Sequence, residues 1–514
     1  MPPRRVMNSP DNKPAERLTI PRWVAGARGA RPALRAGGRS LTYDQFGQAV
    51  YACTRHFQSL GVRPGARVVV ILPNGIEHVV VIMALTSLGA VAVPLSPEAG
   101  PMRLAQVAAD TGASWCVAQG GIQSPAGVMV LRPADLPLAE EAASKTSFEE
   151  VAAACETVCS ASLAYIRYSS GSTGVPKGVM LSHGQAMWTA HMLAEVFGFD
   201  EGHRELVIAP IAHSGAWQRV AATLYGGGCV IFFEGPLSVA AVLEDVTAYQ
   251  ATGFYTPPPL LRSLLSTGRE RVGEGLRSCR SIEIGSAPLA ADELAALLDL
   301  LPQARVFFHY GLTECSRAMV LDARAHPDKL HTVGRPAPEV RVSLRDETGR
   351  EVRRGAAGQI FLQGPQRSDA YWNRDDLNQT RYSGGWLATG DYGSLDEAGF
   401  VAYLGRRDDM INCGGFSFFP PEVEALLGRV DGVSQYLIIG VEDPRGVLGQ
   451  VPVALLVPAE PAGWQANVFL KAARQRLPAY MVPRAVRVVT ALPLTGSGKP
   501  DRRRAAQIYS MGEG

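Results

Sequence analysis

The chain has 514 residues, of which 46% are hydrophobic and 19% charged, and its formal net charge is +2. That length predicts more than one domain with large buried cores; the composition excludes a disordered chain, and the near-neutral charge points away from nucleic acid and from acidic membrane surfaces. The eight cysteines form no Cys-x-x-Cys pair, so neither a zinc site nor a disulfide framework is expected, and a reducing, cytoplasmic compartment is.

From the beginning, Met1 to Arg17 carries Arg4, Arg5 and Lys13 among prolines without an apolar centre, which does not fit a signal peptide. Thr42 with Gln45 predicts a capped helix start. Phe46, Val50, Cys53, Phe57 and Leu60 follow at helical spacing, and Gly61 ends the helix. Arg67 to Leu72 reads as a strand. Val79 to Leu95 has no charged residue, but a membrane span needs about 20 such residues, and Gly89 and Pro94 interrupt this run. A buried helix ending near Leu88 and a strand at Val91 to Val93 account for it better. A helix across Pro101 to Ala109 and a strand at Ser114 to Ala118 repeat the alternation, which predicts largely parallel sheets with helices on their faces. Asp135 to Ser160 is polar, Ala-rich and weakly patterned, as a linker or surface helix would be.

Tyr168 to Val179 concentrates chemistry. An apolar run, Leu163 to Ile166, leads in and Val179 to Leu181 leads out. Gly171, Gly174 and Gly178 let backbone N–H groups approach an anion. Ser169, Ser170, Ser172 and Thr173 add hydroxyl donors, and Lys177 adds a positive charge. This is the equipment of a polyphosphate cradle, with a plain Gly/Ser-rich surface loop as the alternative. The common NTPase phosphate loop does not fit, because Pro176 stands where its second Gly belongs. Rossmann Gly-x-Gly-x-x-Gly and hydrolase Gly-x-Ser-x-Gly patterns are absent.

The order of residues in this loop resembles the signature loop of the adenylate-forming superfamily, which includes acyl-CoA synthetases, firefly luciferase and peptide-synthetase adenylation domains. The remaining motifs follow in that superfamily's order, from about Leu41 to Arg502. In Pro210 to Trp217 the resemblance implies that His213 closes an acyl pocket with Ala216 and Trp217; a lone His in such a run is otherwise commonly a core residue. The Asp with which peptide-synthetase domains hold an amino group is missing, which counts against an amino-acid substrate. After a strand at Ser281 to Ile284, Gly285, Ser286 and Ala287 would line the adenine and acyl pockets together with Ile284. In Tyr310-Gly311-Leu312-Thr313-Glu314, Thr313 would contact the α-phosphate and Glu314 would hold Mg²⁺, in line with that ion's preference for one or two carboxylates plus phosphate oxygens. Phe308 departs from the polar residue often found there, and His309 faces either the acyl pocket or a structural partner.

Further on, Trp386 to Asp391 resembles the motif whose Asp holds the ribose hydroxyls, here Asp391. In Leu404 to Ile411, Arg406 would contact ribose and phosphate and Asp408 would act as a hinge. Gly414, Gly415 and Phe416 would border the CoA thiol path, although Asn412 stands where many relatives carry Lys. Finally, Leu492 to Lys499 ends on a lysine that by resemblance bridges the acid carboxylate and the α-phosphate. A cation placed there offsets the repulsion between two anions as they react.

The resemblance implies an α/β protein: a large N-terminal domain (1–405) of mixed, largely parallel sheets with packed helices, a hinge (406–408), and a small mobile α+β C-terminal domain (409–514). The expected activity is ATP-dependent, Mg²⁺-requiring ligation of a largely apolar carboxylic acid to CoA through an acyl-adenylate. The alternatives are loading of an acyl carrier protein and a non-catalytic nucleotide-binding role. A monomer or homodimer without a membrane span is expected.

Overall fold

The computed structural model describes residues 19–120, 122, 125–137, 158–169, 177–285, 289–460, 464–495 and 499–511. Most of the 135–160 stretch read as a linker, and the loop residues 170–176, lie outside them. Two compact units make up the chain: the first gathers the described residues of Met1–Tyr255 with Thr313–Ser316 and Pro365–Asn378, and the second gathers Thr256–Leu312, Arg317–Gly364 and those of Gln379–Gly514.

In the first unit the β-α alternation of the sequence becomes a six-stranded sheet. Its order is Met129–Leu131, Trp115–Ala118, Arg67–Ile71, Val91–Pro94, Leu163–Ser169 and Lys177–Ser182. The first five strands run parallel and the last is antiparallel. Helix Ile76–Ser87 explains the uncharged run, since every residue from Val79 to Leu85 is buried. Among the described residues no helix is long and apolar enough to cross a membrane. Helix Tyr43–Ser59 begins in the expected capping box, with Gln45 N–H donating to Thr42 Oγ1 and Thr42 N–H to Gln45 Oε1. A second sheet in this unit places Gly253–Thr256, Arg204–Val207, Cys229–Phe232 and Pro32–Ala36 in parallel, with Arg39–Thr42 antiparallel at the edge.

The second unit opens with the parallel pair Ser281–Ile284 and Arg305–Leu312. From Arg341 onward the pairing becomes antiparallel: Arg341–Arg345, Ala357–Gln363, Trp386–Leu395, Tyr382–Ser383 and Val401–Arg406 form one five-stranded sheet. The stretch after Arg406 has cores of its own. One gathers Ile411, Phe418, Val423, Leu427, Ile438, Leu456 and Phe469; the other gathers Leu437, Ile439, Leu455 and Ala505 on the opposite face of the strands Val433–Glu442 and Gln450–Pro458. Alternation along these two strands sends successive side chains into different cores.

Candidate active site

In the first unit, strands Leu163–Ser169 and Lys177–Ser182 pair directly, from Leu163 opposite Ser182 to Ser169 opposite Lys177. The stretch expected to bind an anion therefore connects two hydrogen-bonded strands. Of its residues, Ser170, Gly171, Ser172, Thr173 and Gly174 lie outside the described residues, as does the Ser169 side chain. Lys177 is half-buried at the strand start, its Nζ 5.9 Å from the centre of the Tyr371 ring. Tyr371 bridges to Val179, and Trp372 N–H donates to Gly178 O at 2.7 Å.

The same Tyr371 fixes Glu314. Its hydroxyl donates to Glu314 Oε1 at 2.6 Å, a length typical of a charge-assisted bond. Glu314 O in turn accepts from Ser368 N–H at 2.7 Å. Glu314 and Tyr371 are both buried. One carboxylate oxygen is thus held, and a carboxylate fixed in this way fits a Mg²⁺ ligand. The described residues contain no cluster of three or more metal-binding side chains, so phosphate oxygens and water would complete such a site.

His213 caps the helix Ser214–Tyr225 with its backbone: its N–H donates to Pro210 O at 3.1 Å and its carbonyl accepts from Trp217 N–H at 3.1 Å. The side chain is half-buried, whereas Ala216 and Trp217 are buried. Trp217 packs edge-on against Tyr165 at 6.0 Å between ring centres.

The second unit collects the remaining candidates. Strand Arg305–Leu312 carries His309, Tyr310, Gly311 and Leu312, whereas Thr313 and Glu314, next in the chain, belong to the first unit. Tyr310 O–H donates to Asp391 Oδ2 at 2.6 Å, and Arg406 Nε lies 3.3 Å from Asp391 Oδ1. Burial raises Asp391 above the usual carboxylate range, while Arg406, the Tyr310 hydroxyl and Lys499 pull it back down. Burial likewise keeps the His309 imidazole below its ordinary value; Glu283 opposes this, and Arg317 and Lys499 reinforce it. Lys499 is exposed at the end of a loop closed by Thr495 N–H to Lys499 O at 2.7 Å. Three residues on, the Arg502 guanidinium donates to Glu424 Oε1 and Oε2 at 2.8 and 2.9 Å and lies 3.9 Å from Asp409 Oδ2.

His309 has the structural partner that its sequence left open. Its Nδ1 lies 2.7 Å from Glu283 Oε1, and Glu283 accepts from Arg317 at 2.9 and 3.2 Å. Arg317 is fully buried with φ +43°, a left-handed conformation that a side chain adopts at a cost. Gly285 follows buried Ile284 beneath this ring: a Cβ there would lie 2.1 Å from His309 Cε1, so no side chain fits. Ser286 and Ala287 lie outside the described residues. Asp408 is exposed in the short turn Arg407–Asp409, between Arg406 tied to Asp391 and Asp409 facing Arg502. Gly414 and Gly415 have φ of +58° and +85°, as a tight turn between Ile411–Cys413 and Phe416–Phe418 demands. Phe416 is exposed and stacks on Tyr480 with ring centres 4.5 Å apart.

Sequence reasoning missed Tyr371, Glu283 and Arg317. Tyr371 had a signal, since it sits in Ala370-Tyr371-Trp372, but its hydroxyl's partner lies 57 residues away. For the Glu283–Arg317 pair nothing local marks either residue.

Comparison with known proteins places these features in context. The profile of the family described as AMP-binding enzyme matches residues 21–372, and that of the AMP-binding enzyme C-terminal domain matches 422–499. A feruloyl-CoA synthase of Amycolatopsis sp is 32% identical over 471 residues, covering 91% of this chain and 94% of that one. A 2-succinylbenzoate–CoA ligase of Bacillus subtilis is 29% identical over 490 residues, covering 93% and 96%. Among solved structures, the o-succinylbenzoate CoA synthetase MenE of Bacillus subtilis with ATP and magnesium superposes with a TM-score of 0.82 at 26% identity, covering 95% of this chain and 98% of that one. ATP-bound MatB of Rhodopseudomonas palustris gives a TM-score of 0.86 at 25% identity, covering 96% and 99%.

Proposed function

The chain belongs to the AMP-binding enzyme family, and from that premise we propose that it is an ATP- and Mg²⁺-dependent acid–CoA ligase that works through an acyl-adenylate. The observation that carries this reading is the setting of Asp391, whose carboxylate accepts from the Tyr310 hydroxyl at 2.6 Å with Arg406 Nε at 3.3 Å. It supports Asp391 as the carboxylate that meets the ribose, with Lys499 among the charges that act on it.

In this reading Asp391 accepts hydrogen bonds from the ribose hydroxyls, with Arg406 beside it and Tyr310 fixing its rotamer. Thr313 and Lys177 hold phosphate oxygens, as do the loop residues 169–174. Glu314, set by Tyr371, holds Mg²⁺, which when bound neutralises phosphate charge. The acid lies against His213, Ala216, Trp217, Ile284, Gly285 and His309. Its carboxylate attacks the α-phosphorus, pyrophosphate leaves, and Lys499 bridges the two anions as charge develops.

The second half-reaction brings a thiol to the same carbonyl carbon. Residues 409–514, with their own cores, act as a mobile lid in this reading, and Asp408 is the residue at which the lid turns. The turn at Gly414 and Gly415 would then replace Lys499 at the acid, with Phe416 beside the pantetheine. CoA is favoured as acceptor by the CoA-ligase names of the similar proteins. Loading of a carrier protein is the second outcome of the test, which is acid-dependent ATP–pyrophosphate exchange over a varied acid panel, followed by comparison of CoA with a phosphopantetheinyl carrier protein. Exchange with no acid at all would remove the ligase reading. A largely apolar acid body is supported by Trp217 and Ile284.

A further inference from the structure

Arg167 is the most anomalous charge in the first unit. It is 3% exposed, on the strand that enters the anion-binding loop. Its Nη1 donates to Ala212 O at 3.0 Å, and its guanidinium lies 5.0 Å from the Tyr165 ring centre and 5.4 Å from that of Trp217. Among the described residues no carboxylate pairs with it, and Nη2 is buried without a hydrogen-bond partner. Burial pushes it down to about 10, with only Tyr165 opposing. A buried charge without a counterion is among the costliest arrangements a fold can hold.

The guanidinium borders a cavity of about 30 Å³, lined also by Met83, Tyr165, Leu181, Gln185 and Trp217. That volume takes a water pair or a carboxylate and is too small for an alkyl chain. Trp217 belongs both to this cavity and to the wall assigned to the acid, and Ala212, which Arg167 binds, immediately precedes His213. We propose that Arg167 is a specificity-determining residue that receives a second carboxylate, at the far end of the acid substrate. The substrate class is then a dicarboxylic acid with an apolar body: one carboxylate is activated and the other neutralises the buried guanidinium. This rests on the reading of His213 to Trp217 as the acid wall.

The test is ATP–pyrophosphate exchange with dicarboxylic acids of graded length, each beside its monomethyl ester, which keeps the shape and removes one charge. Wild type should prefer the diacid by ~10- to 100-fold in kcat/KM, the range of one hydrogen bond to a charged group. Arg167→Met should lose that preference while its KM for ATP and its rate with the half-ester hold. Arg167→Lys should restore part of the preference, and it carries the test if the Met variant does not fold. Parallel loss with both acids would show Arg167 to be only a brace between Tyr165 and Trp217, and would overturn the proposal. Wild type that activates monocarboxylic acids best overturns the inference alone, whereas wild type silent with every acid removes the ligase reading beneath it.

Discussion

Tyr371→Phe isolates one hydroxyl. The ring keeps its place against Val179 and under Lys177, and the 2.6 Å bond to Glu314 disappears. A hydrogen bond to a charged partner contributes roughly 1.5–3 kcal/mol net. Taking about 2 kcal/mol, the carboxylate loses its preferred orientation by a factor of about 30. If that orientation is what Mg²⁺ binding uses, the apparent Mg²⁺ requirement in pyrophosphate exchange should rise by up to that factor. The KM for acid should not move, and the melting temperature should fall by roughly a few degrees. Magnesium titration of exchange, run beside a thermal melt, reads both. A lowered melting temperature with an unchanged titration would refute the reasoning, because the bond would then support the fold without setting the ligand.

Lys499→Ala should lower acid-dependent exchange by ~10²–10³ while turnover of a pre-made acyl-adenylate with CoA persists; wild-type exchange in this variant would sink the assignment. Glu314→Gln should raise the Mg²⁺ requirement without loss of fold, checked by magnesium titration and circular dichroism. Asp408→Pro, which fixes φ near −65°, should keep adenylation and lose most thioester formation, and equal rates in both steps would exclude a turn at that residue. His78 and His183 are buried and pushed down to about 4 by desolvation. Their neutral forms are the folded ones, so the stability each contributes is present above pH ~6.5 and is lost as pH falls toward ~4, by up to about 3 kcal/mol each. Melting temperature should therefore drop through that window, and His78→Asn should flatten the profile.

The parts of the fold legible in the sequence are those written in local chemistry. The Thr42–Gln45 capping box, the buried helix before Leu88 and the strand at Ser281 to Ile284 each depend on residues within a few positions of one another. Strand direction is not local, so the antiparallel return of Lys177–Ser182 at the sheet edge and the antiparallel sheet after Arg341 had no comparable signal. The same holds at the candidate site. Asp391, Glu314 and Lys499 stand in recognisable motifs, but what orients them does not: Tyr310 reaches across 81 positions to Asp391 and Tyr371 across 57 to Glu314. His309 illustrates the limit, since its structural partner Glu283 is invisible as a neighbour until two strands pair.

The anchoring of Arg502 bears on how the lysine three residues before it works. A cation at the tip of a freely swinging loop would have to be immobilised at every turnover, with roughly 1–2 kcal/mol of lost freedom for each residue that must settle. Here the chain just beyond the lysine is bolted to Glu424 and Asp409 when the polypeptide folds, and the loop's other arm is closed by Thr495. In the proposed rotation the lysine would behave as a tooth cut into a rigid wheel: its arrival would depend on the turn of the whole body, and it would need little further ordering once there. Lengthening the link between Lys499 and Arg502 by a single residue would leave the Arg502 anchors to Glu424 and Asp409 in place and still shift the lysine out of mesh.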